Sequence, residues 1–348
     1  MKKRSIAVNV CRGLLALTFL FSGFVKANDP IGTQIKLNEY LGAMGIETLE
    51  GLPTLAAALA LAWVEFTLGI YLVIGQRRRI VSLLTVMLMA VMTALTLWIV
   101  VADPVSDCGC FGDAIVLSNG MTLAKNVVLL AAAVVVMRWY RLQPPLLHGG
   151  WAWLVTTVFP IGILAFAIYC IVSLPLIDFR PYKVGVDLVK DARGEMVDGE
   201  WTMSQTAQEL SKFYIFDPQL DDDITPDVLE REGYTLLLIA PDLASADQGC
   251  AGDINELYDY AQHHDIAFLC LTASNEAAQQ RWIDYTGAEY GFCESDKQVL
   301  QTMVRANPGL ILLKNGVIVR KWSNWQIPTE LRNNEMTEFR HNDITKTI

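Results

Sequence analysis

The chain has 348 residues, 53% of them hydrophobic, and a net charge of −10. Residues 1–176 hold twelve basic and eight acidic side chains, a net of +4, while the remainder holds fifteen and twenty-nine, a net of −14. That apolar excess and that asymmetry exclude one uniformly soluble core, and the acidic half excludes nucleic acid as a partner, because it offers no basic stripe to phosphates.

In chain order, Met1-Lys2-Lys3-Arg4 precedes an apolar run that continues to Val25. A signal peptide is one reading, but Ser22-Gly23-Phe24-Val25-Lys26 lacks a small-x-small cleavage pattern, so a membrane anchor is the better one. Five stretches, about 6–25, 53–75, 80–102, 121–140 and 151–174, reach the roughly 20 apolar residues that a bilayer core requires. Arg12 lies near the basic end of the first and can snorkel. Glu65 stands inside the second. A carboxylate in hydrocarbon is costly and faces the bundle interior, either as a proton relay or quinone contact, or as a packing acid paired with Lys26, Arg12 or Lys125. Ser22, Lys125 and Asn126 are further interior polar candidates, whereas Cys11 and Cys170 read as small buried hydrophobes.

Orientation follows from the basic residues. Lys2, Lys3 and Arg4, then Arg77-Arg78-Arg79, then Arg138 and Arg141 belong on the cytoplasmic side. Segments 26–52 and 103–120 then lie outside, and five crossings put residues 176–348 outside too. The expected location is a bacterial inner membrane, multi-pass, with the N-terminus cytoplasmic and the C-terminal domain periplasmic.

The loop between the third and fourth stretches reads Asp103-Pro-Val-Ser-Asp-Cys108-Gly-Cys110-Phe-Gly-Asp113. Two thiols one residue apart on an oxidising face can close a small strained disulfide, which favours exchange over permanence. Gly109 permits the tight turn. A structural disulfide or two inert thiols is the competing reading. A metal is not expected, because two thiolates without a nearby His do not make a zinc site.

These residues resemble a known family. Ser22-Gly23-Phe24-Val25-Lys26 with Asp29-Pro30, and Trp63-Val64-Glu65-Phe66-Thr67-Leu68-Gly69, resemble the DoxX-type membrane proteins. The Cys108-Gly-Cys110-Phe-Gly-Asp113 loop, with Leu117-Ser118 and Lys125-Asn126, resembles the related MauE group. The resemblance covers roughly residues 5–140. It implies a four-helix bundle similar in outline to vitamin K epoxide reductase-type enzymes, and a thiol-redox role outside the membrane. MauE is needed for maturing a disulfide-rich methylamine dehydrogenase subunit. The intramembrane CxxC of the vitamin K epoxide reductase-type enzymes has no counterpart here, so quinone coupling lacks its usual residues.

In the second half, 176–232 reads as a linker or irregular segment. Arg180–Gly185 forms an extended exit, 212–217 a candidate strand, and Asp221-Asp222-Asp223 a solvated turn. The pattern then clears: strand 234–240, helix 253–263, strand 266–271, helix 275–285, helix 297–305, and strands 309–313 and 317–322 joined by Lys314-Asn315-Gly316, a hairpin turn. Pro308 sits at a bend suited to a cis bond. His263-His264 read as a helix C-cap rather than a metal site. The run 234–322 resembles the thioredoxin-like fold, carried by Asn307-Pro308-Gly309 and the hairpin. In that family a CxxC opens the first helix. Here Asp247 takes the place of the first cysteine and Cys250 that of the second. The resemblance implies a module without its own dithiol activity that either binds a client, through Asn307 and Pro308, or docks onto the membrane half. A mixed disulfide of Cys250 with Cys108 or Cys110 is the sharper alternative. Cys270 reads as core, and Cys293 as following a short strand.

The expected fold class is multi-domain: an all-α transmembrane bundle followed by an α/β thioredoxin-like domain. The divisions are a DoxX/MauE-like bundle over 1–145, a fifth transmembrane helix over 146–175, the segment 176–232, the thioredoxin-like domain over 233–325 and a tail over 326–348. The leading function is extracytoplasmic thiol–disulfide exchange or client maturation through Cys108 and Cys110. Alternatives are a non-enzymatic membrane scaffold, or a DoxX-like subunit of a quinone-linked oxidoreductase. No cofactor motif is evident, and quinone is the one cofactor kept open. The expected partners are the lipid bilayer and a periplasmic client or membrane redox partner.

Overall fold

The computed structural model describes residues 2–46, 51–103, 105, 108–147, 149–197 and 200–331. They divide into two compact units, residues 1–171 and 172–348, each taken by itself.

The first unit is helical. Five of its helices are long and apolar enough to cross a membrane: α1 (Lys2–Asn28), followed after the shorter α2 (Pro30–Ala43) by α3 (Leu52–Ile74), α4 (Arg78–Ala102), α5 (Asn119–Arg138) and α6 (Gly149–Ser173). The expected spans agree to within a few residues. The segment 26–52, expected as an outside loop, instead contains α2. Asp29 caps that helix by accepting from Gly32 N at 2.8 Å, and Pro30 fills the first turn, where no N–H is needed.

Helix α1 runs along α3 and α4 along α5. Two glycines let α1 and α3 approach closely. A Cβ on Gly23 would lie 2.5 Å from Phe66 N and 2.9 Å from Ala62 O, and one on Gly69 would lie 2.9 Å from Leu20 N. Backbone contact of this kind is how helices pack where lipid removes the hydrophobic drive. Leu15, Phe19, Leu68, Leu72, Leu129 and Val136 form the main cluster among α1, α3 and α5. Asn126 on α5 donates to Thr96 Oγ1 at 3.3 Å and joins α4 to α5. Arg12 donates to Pro144 O at 2.7 Å.

The second unit is a mixed α/β sheet domain. It begins with a small hairpin, β1 (Glu195–Val197) and β2 (Glu200–Thr202), then α7 (Gln205–Leu210), β3 (Phe216–Asp217), β4 (Asp222–Asp223) and α8 (Thr225–Leu229). It continues as β5 (Tyr234–Ala240), α9 (Ala251–His263), β6 (Ala267–Thr272), α10 (Glu276–Thr286), β7 (Phe292–Glu294), α11 (Lys297–Met303), β8 (Gly309–Lys314) and β9 (Val317–Ser323). The seven-stranded sheet has the order β4-β3-β7-β6-β5-β8-β9. Strand β5 pairs parallel with β6 and antiparallel with β8. Being central, β5 buries both faces and so reads as an unbroken apolar run. Leu236, Leu238 and Ala240 face one core with α9 and α10, and Leu237 and Ile239 face the other with α11. Asn315 and Gly316 both take positive φ, as a two-residue hairpin turn requires.

Three expectations change here. The segment 176–232 is no linker, since Tyr182, Val186, Leu188, Leu210, Phe213 and Ile215 are buried in the second core. Only Phe216–Asp217 of the stretch 212–217 is strand, because Ile215 N bonds Thr225 Oγ1 at 2.6 Å instead of joining a ladder. The Asp221–Asp223 run contributes the short edge strand β4, with Asp221 turning the chain at φ 54°. His263 and His264 each place Nδ1 on the carbonyl four residues back, at 2.7 and 2.8 Å, as a C-terminal cap does. The expected tail lies outside the described residues from 332 onward.

Candidate functional site

The cysteine loop joins α4 to α5. Its turn closes with Gly112 N on Gly109 O at 3.0 Å, and both glycines take positive φ. At Gly109, φ is 60° and a Cβ would press on Lys36 Cγ at 3.1 Å, so the position requires glycine. The turn brings Cys108 Sγ and Cys110 Sγ to 3.0 Å as free thiols. A disulfide needs about 2.05 Å, so bond formation asks for an approach of roughly one ångström.

Both cysteine carbonyls are held by the helices beneath. Tyr40 on α2 donates its hydroxyl to Cys108 O. Ser22 and Lys26 on α1 each donate to Cys110 O at 2.8 Å. The Lys26 ammonium is fully engaged: it also donates to Ser22 Oγ at 2.6 Å and to Glu65 Oε2 on α3 at 2.8 Å. Lys26 and Glu65 are 5% and 4% exposed, a buried ion pair reached through the glycine contact of α1 with α3. Of the three cations proposed as partners for Glu65, it is Lys26 that holds it. Lys125 on α5 stands 3.9 Å over the Phe111 ring, next to Cys110, and Phe111 packs edge-on against Phe21 at 5.4 Å.

These contacts divide the two thiols. Either sulfur can donate to the other; with Cys108 donating, that hydrogen bond first, then the charges of Lys125 and Lys26, outweigh burial and draw the Cys110 thiol down. The same hydrogen bond, then burial, pushes the Cys108 thiol up. As whole residues, Cys108 is buried and Cys110 half-buried. The loop can thus present one nucleophilic thiolate with a protonated thiol beside it.

The remaining candidates gather in the second unit. Asn307–Pro308 is a cis peptide, as the bend suggested. Asn307 O accepts from Asp247 N at 2.9 Å, and Asn307 Nδ2 donates to Asp242 O at 2.7 Å. The Asp247 carboxylate accepts from Gly249 N at 2.9 Å and from Asn324 Nδ2 at 2.7 Å. Cys250 Sγ donates to Asp247 O at 3.3 Å, and burial, then Asp247, raises its thiol to about 11. Cys270 is wholly buried in β6, as expected. Cys293 lies within β7 rather than after it, and packs on the opposite sheet face from Cys250. Among the described residues no group of three or more His, Cys, Asp or Glu is placed to hold a metal.

Sequence reasoning missed Tyr40 and Lys36. The signal was present in Asp29-Pro30, an N-cap followed by a first-turn proline, which announces the helix that carries both.

Residues 4–139 match the family model described as Methylamine utilisation protein MauE. The matched segment contains Ser22, Lys26, Tyr40, Glu65, Cys108, Cys110 and Lys125. No curated protein and no solved structure matches the chain. The chain carries a MauE-like membrane segment, with a fifth membrane-capable helix and a mixed α/β sheet domain after it.

Proposed function

We propose that the protein is a membrane thiol–disulfide exchange factor that matures a client through Cys108 and Cys110 on the non-cytoplasmic side. One observation carries the reading: the two sulfurs meet at 3.0 Å in a loop whose two cysteine carbonyls are both held by helix side chains. A purely structural turn needs no proton shared between its thiols. The loop also sits at the end of α4 and α5 away from Arg77–Arg79 and Arg138–Arg141, the end that the basic-residue rule assigns outside. The MauE match accords with a redox or maturation role.

Cys110 loses its proton to water, the thiolate attacks one sulfur of a client disulfide, a mixed disulfide forms, and the leaving client thiolate takes up a proton from water in turn. Cys108 then attacks Cys110 Sγ, giving its proton to the second client thiolate as that bond breaks. The loop ends as a disulfide and the client as a dithiol, with two electrons and two protons transferred. The reverse sequence oxidises a client, and a second thiol–disulfide partner restores the loop.

The second unit supports a client-binding role. Its parallel β5–β6 pair, antiparallel β8–β9 hairpin, cis Pro308 and Cys250 at the head of α9 are what a thioredoxin-like module would have. With Asp247 where a first cysteine would stand and the Cys250 thiol raised, that module binds rather than exchanges. Asn307 and Pro308 are its proposed contact.

The test uses the full chain in its membrane, quenched with acid, alkylated and mapped by mass spectrometry. Cys108→Ser should accumulate mixed disulfides on Cys110, because the resolving thiol is gone, and Cys110→Ser should not. Recovery of both thiols free in every preparation, with no adduct in Cys108→Ser, would overturn the proposal.

A further inference from the structure

At the end of the helical unit opposite the cysteine loop, the start of α1 meets the exit of α5. Arg4, Arg138, Trp139, Tyr140, Arg141 and Leu142 line a groove of about 410 Å³ there. Its positive charge has no counterpart in the surrounding sequence. Residues 1–28, 66–102 and 114–177 contain no Asp or Glu, yet Lys2, Lys3, Arg4, Arg77, Arg78, Arg79, Arg138 and Arg141 all fall at helix ends on this side.

Some of the arginines near this end have structural work. Arg12 donates to Pro144 O at 2.7 Å and Arg78 to Gly75 O at 3.1 Å, each fastening a turn. Those of the groove do not. Arg4 and Arg138 are exposed and make no hydrogen bond or ion pair among the described residues. Arg141 spends only Nε, on Tyr140 Oη at 3.2 Å, which leaves its terminal nitrogens open. Two unengaged guanidinium groups and the open end of a third therefore line one groove from two helix ends, flanked by half-buried Trp139 and Tyr140.

We propose that this groove binds the phosphate of an anionic lipid headgroup. The guanidinium fork matches two phosphate oxygens with parallel hydrogen bonds. Trp and Tyr settle at headgroup depth, with the ring toward the acyl chains and the polar edge toward water. An amphiphile meets both the apolar helix surface and the basic rim, whereas free phosphate meets only the rim. The inference is independent of the thiol chemistry at the other end of the unit.

The test takes the full chain in neutral detergent and counts retained lipid by native mass spectrometry. Phosphatidylglycerol and phosphatidylcholine are titrated separately, each with and without millimolar inorganic phosphate. The parent should retain phosphatidylglycerol in preference to phosphatidylcholine. Arg4→Gln with Arg138→Gln should lower that retention roughly thirtyfold, about a factor of five for each charge lost near an anionic surface. Arg77→Gln removes one charge outside the groove lining and should lower it by less than about twofold, whereas Arg141→Gln within the lining should lower it about fivefold. That pair of single variants serves if the double variant does not purify as a single species. Equal losses in Arg77→Gln and Arg141→Gln would replace the site with a diffuse field and overturn the proposal. Equal retention of the two lipids would overturn it as well. If inorganic phosphate alone displaces phosphatidylglycerol, the groove is a site for free phosphate and the lipid assignment falls.

Discussion

Replacing Lys26 by Met tests whether the buried ion pair supports both the fold and the redox loop. The side chains are close in length, so the substitution removes charge and donors with little change in volume. In the parent, the ammonium meets Ser22 Oγ at 2.6 Å, Glu65 Oε2 at 2.8 Å and Cys110 O at 2.8 Å. Lys26→Met leaves Glu65, 4% exposed, as a carboxylate without its cation, and breaking a buried pair from one side costs about 3–5 kcal/mol. Removing both charges in Lys26→Met/Glu65→Leu takes away that penalty, and the double variant should fall within about 1 kcal/mol of the parent. The loop responds differently. Cys110 O loses its charged donor in the single and double variants alike and keeps only Ser22, a loss of about 1.5–3 kcal/mol of local restraint. The assay is equilibrium unfolding of the full chain in mixed micelles, followed by far-UV circular dichroism, with the alkylation rate of Cys110 as the loop readout. Stability should return in the double variant while the altered Cys110 reactivity persists. A single variant as stable as the parent would refute the reasoning, as would a double variant that loses the sum of the single effects.

Lys125→Met should raise the pH midpoint of Cys110 alkylation by on the order of one unit, because the cation over Phe111 favours the thiolate. Reactivity in the parent is lost as pH falls through that midpoint, and in the variant it is lost at higher pH. Gly23→Ala should push α1 off α3, because the added Cβ meets Phe66 N and Ala62 O rather than a movable side chain. A cost of about 1–3 kcal/mol in the same unfolding assay is expected. In the second unit, Asp178 accepts from Arg180 Nε at 2.8 Å and from Lys321 Nζ at 2.9 Å, one carboxylate for two buried cations. Burial works to raise the Asp178 carboxyl, but those two charges and their hydrogen bonds outweigh it and hold it at about 2. Burial also pulls the Lys321 ammonium down to about 7, which opposes the pair. Donation from Lys321 to both Asp178 and Met303 O requires the protonated amine, so the geometry favours the charged form. Asp178→Asn should cost about 3–5 kcal/mol near neutral pH by thermal melting of the full chain. A carboxyl depressed on folding stabilises fully above its ordinary value near 3.9 and loses that stabilisation toward pH 2, so the parent should weaken across that window and the variant should not.

Much of the architecture was legible because its signals are local. A hydrocarbon core demands about 20 apolar residues, and the five runs that meet the length became five helices. The run 234–240 could be read as a buried strand because every side chain on a central strand is covered. The Asn315-Gly316 turn could be read because few other residue pairs accept its positive φ. The segment 176–232 was opaque for the opposite reason. Tyr182, Phe213 and Ile215 are spaced without a period, and the core they enter is assembled from β5, β8 and α11, far along the chain. Helix α2 was missed because its amphipathic pattern is weak, although its cap was in view.

The sequence by itself determined that one half of the chain carries two thiols one residue apart, an intramembrane carboxylate and a lysine just after the first apolar run. Residue types and hydropathy are properties of the chain and need no partner. Only the tertiary structure decided that Glu65 answers Lys26 rather than Arg12 or Lys125, that Tyr40 and Ser22 hold the loop, and that the two sulfurs meet. Those pairings depend on how closely α1 approaches α3 at Gly23 and Gly69. Distances between residues 39 and 84 positions apart are set by helix packing, which no local pattern encodes.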